Sequence, residues 1–407
     1  MPEPTRSDGL DLGRIRRRTV AVLALGQVLG GIAFGATISL GAVLAADISG
    51  DDTLSGLATA AVTLGAAALA VPLAALARRS GRRISLASGM LIALAGVALV
   101  VVAVSLDQFA LLLVAFALIG AGQAANLQSR FAATDLATDA SRGRDLSLVV
   151  WATTIGAVLG PNLVGPGEAL GEVVGMPPLT GPYLFTIAAQ LLGVALYLTA
   201  LRPDPLLLAH RLAREASATA RTIAKADRPV AARYAITAIA ASHGVMVAVM
   251  AMTPVHLIHH GAELSIVGLT ISLHIAGMYA LSPVFGLLAD RLGRIPTILI
   301  GQGLLVASLL VAAIGQDSTV FVTVGLVLLG LGWSASTVAG AALLTETSDE
   351  EHRTRRQGRS DLAMNLVGAI GAIGAGAVLG AIGYGGLALV ALVAVAVVVV
   401  LAPAGRR

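Results

Sequence analysis

The chain has no cysteine, few aromatic residues (3%) and few charges, only 12% of its 407 residues being Asp, Glu, Lys or Arg. Without cysteine there are no disulfides, thiolate metal sites or cysteine nucleophiles. The shortage of charge excludes more, because a soluble domain carries about 25% charged residues, roughly twice this share. Lysine is nearly absent too, Lys225 standing alone among 27 basic residues. What fills the sequence instead is apolar: 57% hydrophobic residues, 47 glycines and a mean hydropathy of +0.87. A disordered chain, a soluble enzyme and a nucleic-acid binder are excluded by this balance, and an integral membrane protein is expected. The opening MPEPTRSDGLDLGRIRRR is too polar and acidic to read as a secretory leader.

A bilayer core of about 30 Å needs roughly 20 apolar residues at 1.5 Å each. Twelve such tracts can be read, near 19–46, 54–77, 84–105, 108–129, 145–165, 182–201, 230–255, 263–288, 295–315, 319–344, 361–381 and 384–403. With the N-terminus inside, all 27 basic residues fall on the inner side. Asp47, Asp51, Asp52, Asp107, Glu168, Glu172, Glu263 and Asp317 fall outside. The bias of basic residues toward the cytoplasm therefore predicts both termini there. The net charge of +4 records this orientation and does not mark a basic partner surface.

The expected architecture is all-α, with twelve transmembrane helices in two pseudo-symmetric six-helix halves. The halves are residues 1–202 and 229–407, joined by a charged, amphipathic cytoplasmic linker, 203–228. The turn Arg78-Arg79-Ser80-Gly81-Arg82-Arg83 has a counterpart six spans later in GLLADRLGR, residues 286–294. Such parallel repeats enclose a central cavity in transporters.

GLLADRLGR resembles the loop motif of the major facilitator superfamily, which implies gating roles for Gly286, Asp290, Arg291, Gly293 and Arg294. The first copy departs from it, with Arg78 in place of the acid and Ala74 in place of the first glycine, so an asymmetric latch is expected. Gly156-Ala-Val-Leu-Gly160-Pro161 resembles the antiporter motif of that superfamily. The resemblance implies a transporter, not an enzyme, and does not name a substrate. Glycines at helical spacing, such as Gly26, Gly30 and Gly35 or Gly368, Gly371 and Gly374, are read as sites of close helix packing.

One window concentrates chemistry. Four of eight methionines (Met246, Met250, Met252, Met278) and five of seven histidines (His243, His256, His259, His260, His274) lie between positions 243 and 278. Met246 and Met250 share a face of span seven, and His274 and Met278 share a face of span eight. With those spans as antiparallel neighbours, Met246 and His274 fall at similar depth and Met278 about 6 Å further in. His256, His259 and His260 stand at the mouth, as possible metal entry residues together with His243. Thioether sulfur and imidazole together suit copper. Against this, a methionine in an apolar helix is ordinarily filler, and Met252 reads that way. An ionisable side chain inside the membrane, such as His274, marks function by default.

MxxxM in span seven with HxxxM in span eight resembles the CcoA-like copper importers of the same superfamily. That resemblance implies copper import, with Met246, Met250, His274 and Met278 as the metal-binding residues. The expected partners are a copper ion as cargo and the lipid bilayer, with no nucleic acid, no permanently bound cofactor and a monomeric chain. The alternative is a transporter or exporter of a small organic solute, riboflavin or a drug, whose cavity the Met and His residues merely line. Arg130, near the inner boundary, reads either as a snorkelling end residue or as a partner of Asp135. No carboxylate falls clearly at mid-membrane, which leaves the energy source open.

Overall fold

The computed structural model describes residues 11–50, 54, 56–219, 227–262 and 264–406. Asp51, Asp52, Lys225 and Glu263, the linker stretch 220–226 and the side chain of His259 lie outside the described residues. Among the described residues the structure is helical throughout. In chain order the helices are α1 (Leu12–Ser49), α2 (Gly56–Ser105), α3 (Phe109–Ala132), α4 (Arg142–Asn162), α5 (Val164–Val174), α6 (Tyr183–Ala200) and α7 (Pro205–Thr219). They continue with α8 (Pro229–His259), α9 (Leu264–Tyr279), α10 (Ser282–Arg291), α11 (Arg294–Ile314), α12 (Thr319–Thr347) and α13 (Glu350–Val400). A short 3-10 turn, Ala402–Arg406, follows.

α2 and α13 are each interrupted by a glycine at positive φ, Gly81 at 87° and Gly383 at 73°. Taken as two helices apiece, with α9 and α10 as one broken span and the short α5 and α7 set aside, these stretches cover the twelve expected tracts. The helices overrun the tracts, α1 starting at Leu12 and α12 reaching Thr347, because hydropathy marks only the apolar length while helical hydrogen bonding continues through polar residues. Span eight was expected to be continuous; it breaks at Ala280–Leu281, just before Pro283, which lacks the N–H a helix interior needs.

Eight helical stretches among the described residues are long and apolar enough to cross a membrane. They expose bare aliphatic side chains, Ile373 at 74% and Ile370 at 69% exposure among them. A soluble surface does not tolerate this, but hydrocarbon does.

The chain divides into two compact units, residues 1–226 with 350–358, and 227–349 with 359–407. The first is cored by Leu44, Val97, Leu112, Phe116 and Tyr183. The second is cored by Val245, Leu305, Leu326, Leu329 and Trp333.

Both copies of the loop motif turn through a glycine at positive φ. Gly81 and Gly293 have φ of 87° and 100°, a region open to glycine and strained for other residues. The arginine that follows is buried in each copy, and its partners differ. Arg294 reaches Asp290 within its own motif (2.6 Å) and Glu346 on α12 (3.2 Å). Arg82 has no acid in its own motif, Arg78 standing there, and pairs with Asp135 beyond α3 through Nε (2.8 Å) and Nη2 (3.1 Å). Nη2 also donates to Gln357, 2.7 Å away at the start of α13. Asp135 is thus held by Arg82, and Arg130 does not reach outward. It is 2% exposed, its guanidinium 4.9 Å from the Phe131 ring centroid.

Candidate functional site

In the second unit α8 and α9 were expected to be neighbours, but each packs mainly along α12 and they touch each other little. Glycine explains the approach of α9 to α12: a Cβ on Gly330 would stand 2.5 Å from the His274 carbonyl oxygen. Backbones this close leave room only for hydrogen at that position.

His274 is wholly buried, and its Nδ1 donates to the Leu326 carbonyl of α12 at 2.8 Å. A carbonyl only accepts, so Nδ1 carries the hydrogen and Nε2 presents a lone pair. That Nε2 is buried with no partner. Met246 (3% exposed) and Met278 (7%) belong to one apolar core cluster, and Met250 packs against it. Met252 packs elsewhere, against Ala248, Ala375 and Leu387.

A second group occupies the middle of the same helices. Trp333 is the midpoint of α12, and its Nε1 donates to His243 Nδ1 at 3.0 Å. His243 lies one residue from the midpoint of α8, its ring against Gly368 of α13. Tyr279, beside the break between α9 and α10, sets its ring edge-on to Trp333 at 5.7 Å and 84°. His243 and Tyr279 are half-buried. Beside them Gln302 of α11 donates to Ser242 (2.9 Å) and Ser336 (2.8 Å), tying three helices together with polar side chains.

Sequence reasoning singled out His243 as an entry residue and passed over Trp333 and Tyr279. The signal was available: tryptophan normally belongs at the membrane interface, and one of only two here falls at the centre of a span. It also passed over Asp361, which is 0% exposed on α13, at the very edge of an apolar tract. In the first unit, Gln27 of α1 is bonded by Thr153 of α4 (3.2 Å) and reaches the Asn126 carbonyl of α3 (2.5 Å). Gly156 of the antiporter-like stretch packs on Gly31 of α1.

His256 stands near the end of α8 and His260 just beyond it. His256 Nε2 donates to the Gln316 carbonyl at 2.7 Å, and its ring stacks on Tyr384 at 4.3 Å. His260 faces Asp317 at 3.6 Å. In the loop motif, Gly286 is buried and Asp290 and Arg294 are paired, while Arg291 and Gly293 mark the exposed turn.

The chain is 39% identical over 88% of its length to YddS of Bacillus subtilis (strain 168), an uncharacterized MFS-type transporter, covering 83% of it. It is 28% identical over 86% of its length to the riboflavin transporter RfnT of Brucella anthropi, covering 85%. Among solved structures, the human organic anion transporter MFSD10 matches with a TM-score of 0.76 at 16% identity, over 95% of this chain and 99% of that one. A bacterial homologue of the iron transporter ferroportin matches with a TM-score of 0.70 at 16% identity, again over 95% and 99%. At such identities the two structures speak for the fold alone. The Major Facilitator Superfamily itself matches in two overlapping stretches, residues 23–278 and 235–406, and the chain belongs to that superfamily of multi-pass membrane transporters.

Proposed function

We propose that the protein is a secondary transporter of a small organic solute with a flat aromatic ring, riboflavin being the first to test. It acts as a monomer in the bacterial cytoplasmic membrane, with both termini inside and no resident cofactor. The observation that carries this reading is the His243–Trp333–Tyr279 group at mid-helix depth. The half-buried Tyr279 ring offers a stacking face and the half-buried His243 imidazole a hydrogen-bonding group, while Trp333, buried at 4% exposure, holds both in place; organic-ligand sites combine these features. The likeness to RfnT across most of both chains supports the same class. Entrance counterflow of labelled riboflavin into proteoliposomes tests it without regard to transport direction. Saturable exchange that Trp333→Ala reduces at least tenfold is expected. Exchange equal to empty liposomes would refute it.

A second reading, copper transport through Met246, Met250, His274 and Met278, is favoured by one observation. His274 keeps a buried, unpartnered Nε2 while Nδ1 is anchored to a backbone carbonyl, the arrangement that metal-bound histidines use. Copper bound one-to-one by purified protein, and lost in His274→Ala, would establish it in place of the solute reading.

A further inference from the structure

At the end of the second unit remote from the loop motif, α8 runs out into a turn whose first residue is His260. Its Nδ1 lies 2.9 Å from the His256 carbonyl oxygen. Because that oxygen only accepts, Nδ1 carries the hydrogen and the neutral ring has a bare lone pair on Nε2. Nε2 faces the Asp317 carboxylate at 3.6 Å. Two electron-rich atoms facing each other repel unless a positive charge accompanies them.

The surroundings hold this pair in place. His256 is tied through Nε2 to the Gln316 carbonyl and stacked on Tyr384. Gln316 Oε1 in turn accepts the Gly385 N–H at 2.8 Å, so the turn carrying Asp317 is pinned to α13. His260, Asp317 and these neighbours line a cavity of about 410 Å³, floored by Gly376, Gly380 and Gly383.

We propose that His260 Nε2 and Asp317 together bind a divalent transition cation, with Zn²⁺ as the probe. A tetrahedral ion with bonds of about 2.1 Å sets its ligand atoms roughly 3.4 Å apart, close to the 3.6 Å found. The Nδ1–H to carbonyl bond fixes the tautomer and orients the ring as it does in zinc-bound histidines. Waters in the adjoining cavity complete the coordination. With two protein ligands the site is exchangeable, and it shares no ligand with the Met and His face of α8 and α9.

Isothermal titration of tag-free, full-length protein with zinc chloride tests the site. The parent should show one-site binding that His260→Ala and Asp317→Asn each weaken at least tenfold. Asp317→His discriminates between a metal and a proton held by the pair. A second imidazole keeps a metal ligand but removes the carboxylate that an imidazolium would need, so Zn²⁺ binding should persist. Both positions are substantially exposed, so the variants should fold, with gel-filtration profiles as the check. Zn²⁺ binding to the parent no tighter than to the His260→Ala/Asp317→Asn double variant would overturn the proposal. So would Asp317→His losing binding as fully as Asp317→Asn.

Discussion

Asp135→Asn should destabilise the protein severely, and the structure says by how much. The Arg82 and Asp135 side chains are both 0% exposed. Asp135 receives two hydrogen bonds from Arg82, and Arg353 feels the same carboxylate together with repulsion from Arg82 and Arg142. Removing one partner of a buried pair typically loses ~3–5 kcal/mol, mostly from the charge left uncompensated. Asparagine keeps one acceptor oxygen for Arg82, so the lower end applies, ~3 kcal/mol or roughly a hundredfold in the folding equilibrium. Arg82 Nη1 is already buried without a partner, so no spare acceptor stands ready. The compensated change Arg82→Met/Asp135→Leu removes both charges: Gln357 loses its bond from Arg82, and Arg353 loses the Asp135 attraction together with the Arg82 repulsion, a net loss of ~1–3 kcal/mol. In fluorescence-detected thermal unfolding of detergent-purified protein, Asp135→Asn should therefore melt below the double variant. An Asp135→Asn protein as stable as the parent, or a double variant less stable than it, would refute the reasoning.

Asp290→Asn should leave the fold intact, because Glu346 still neutralises Arg294, and should slow solute exchange in proteoliposomes several-fold by weakening the tie at the motif turn; unchanged exchange removes that role. Gly330→Leu should abolish stable expression, since its side chain would meet the backbone of α9 at His274 and Met278, whereas Gly374→Ala, with open space around it, should express normally. Asp361→Asn should remove uptake against a gradient while counterflow persists, if the buried carboxylate carries the coupling proton. Met246→Leu with Met250→Leu keeps volume and apolarity, so solute exchange should equal that of the parent; a loss of copper content in that variant would favour the metal reading.

Span number, their approximate places and the loop motif were legible because each is written locally, in runs of apolar residues or in one contiguous string. The partners of Arg82 were not, because its motif lacks the acid, and Asp135 lies 53 residues away on another segment. The break at Ala280–Leu281 was announced by Pro283 and hidden by the unbroken hydropathy on either side. Spacing on one helix put His274 and Met278 on a shared face, yet spacing cannot say which helix that face meets. Gly277 and Gly330 decided that it was α12. The Trp333–His243 contact joins residues 90 positions apart, and no periodicity connects them.

The central claim is that the aromatic group around Trp333 meets the solute, and one titration tests it most directly. Trp151 and Trp333 are the two tryptophans, so Trp151→Phe leaves Trp333 as the single indole reporter. Riboflavin added to that protein should quench Trp333 emission saturably, and His243→Ala should weaken the half-saturation point at least tenfold. Emission indifferent to riboflavin, with Cu(I) binding stoichiometrically and depending on His274, would contradict the account.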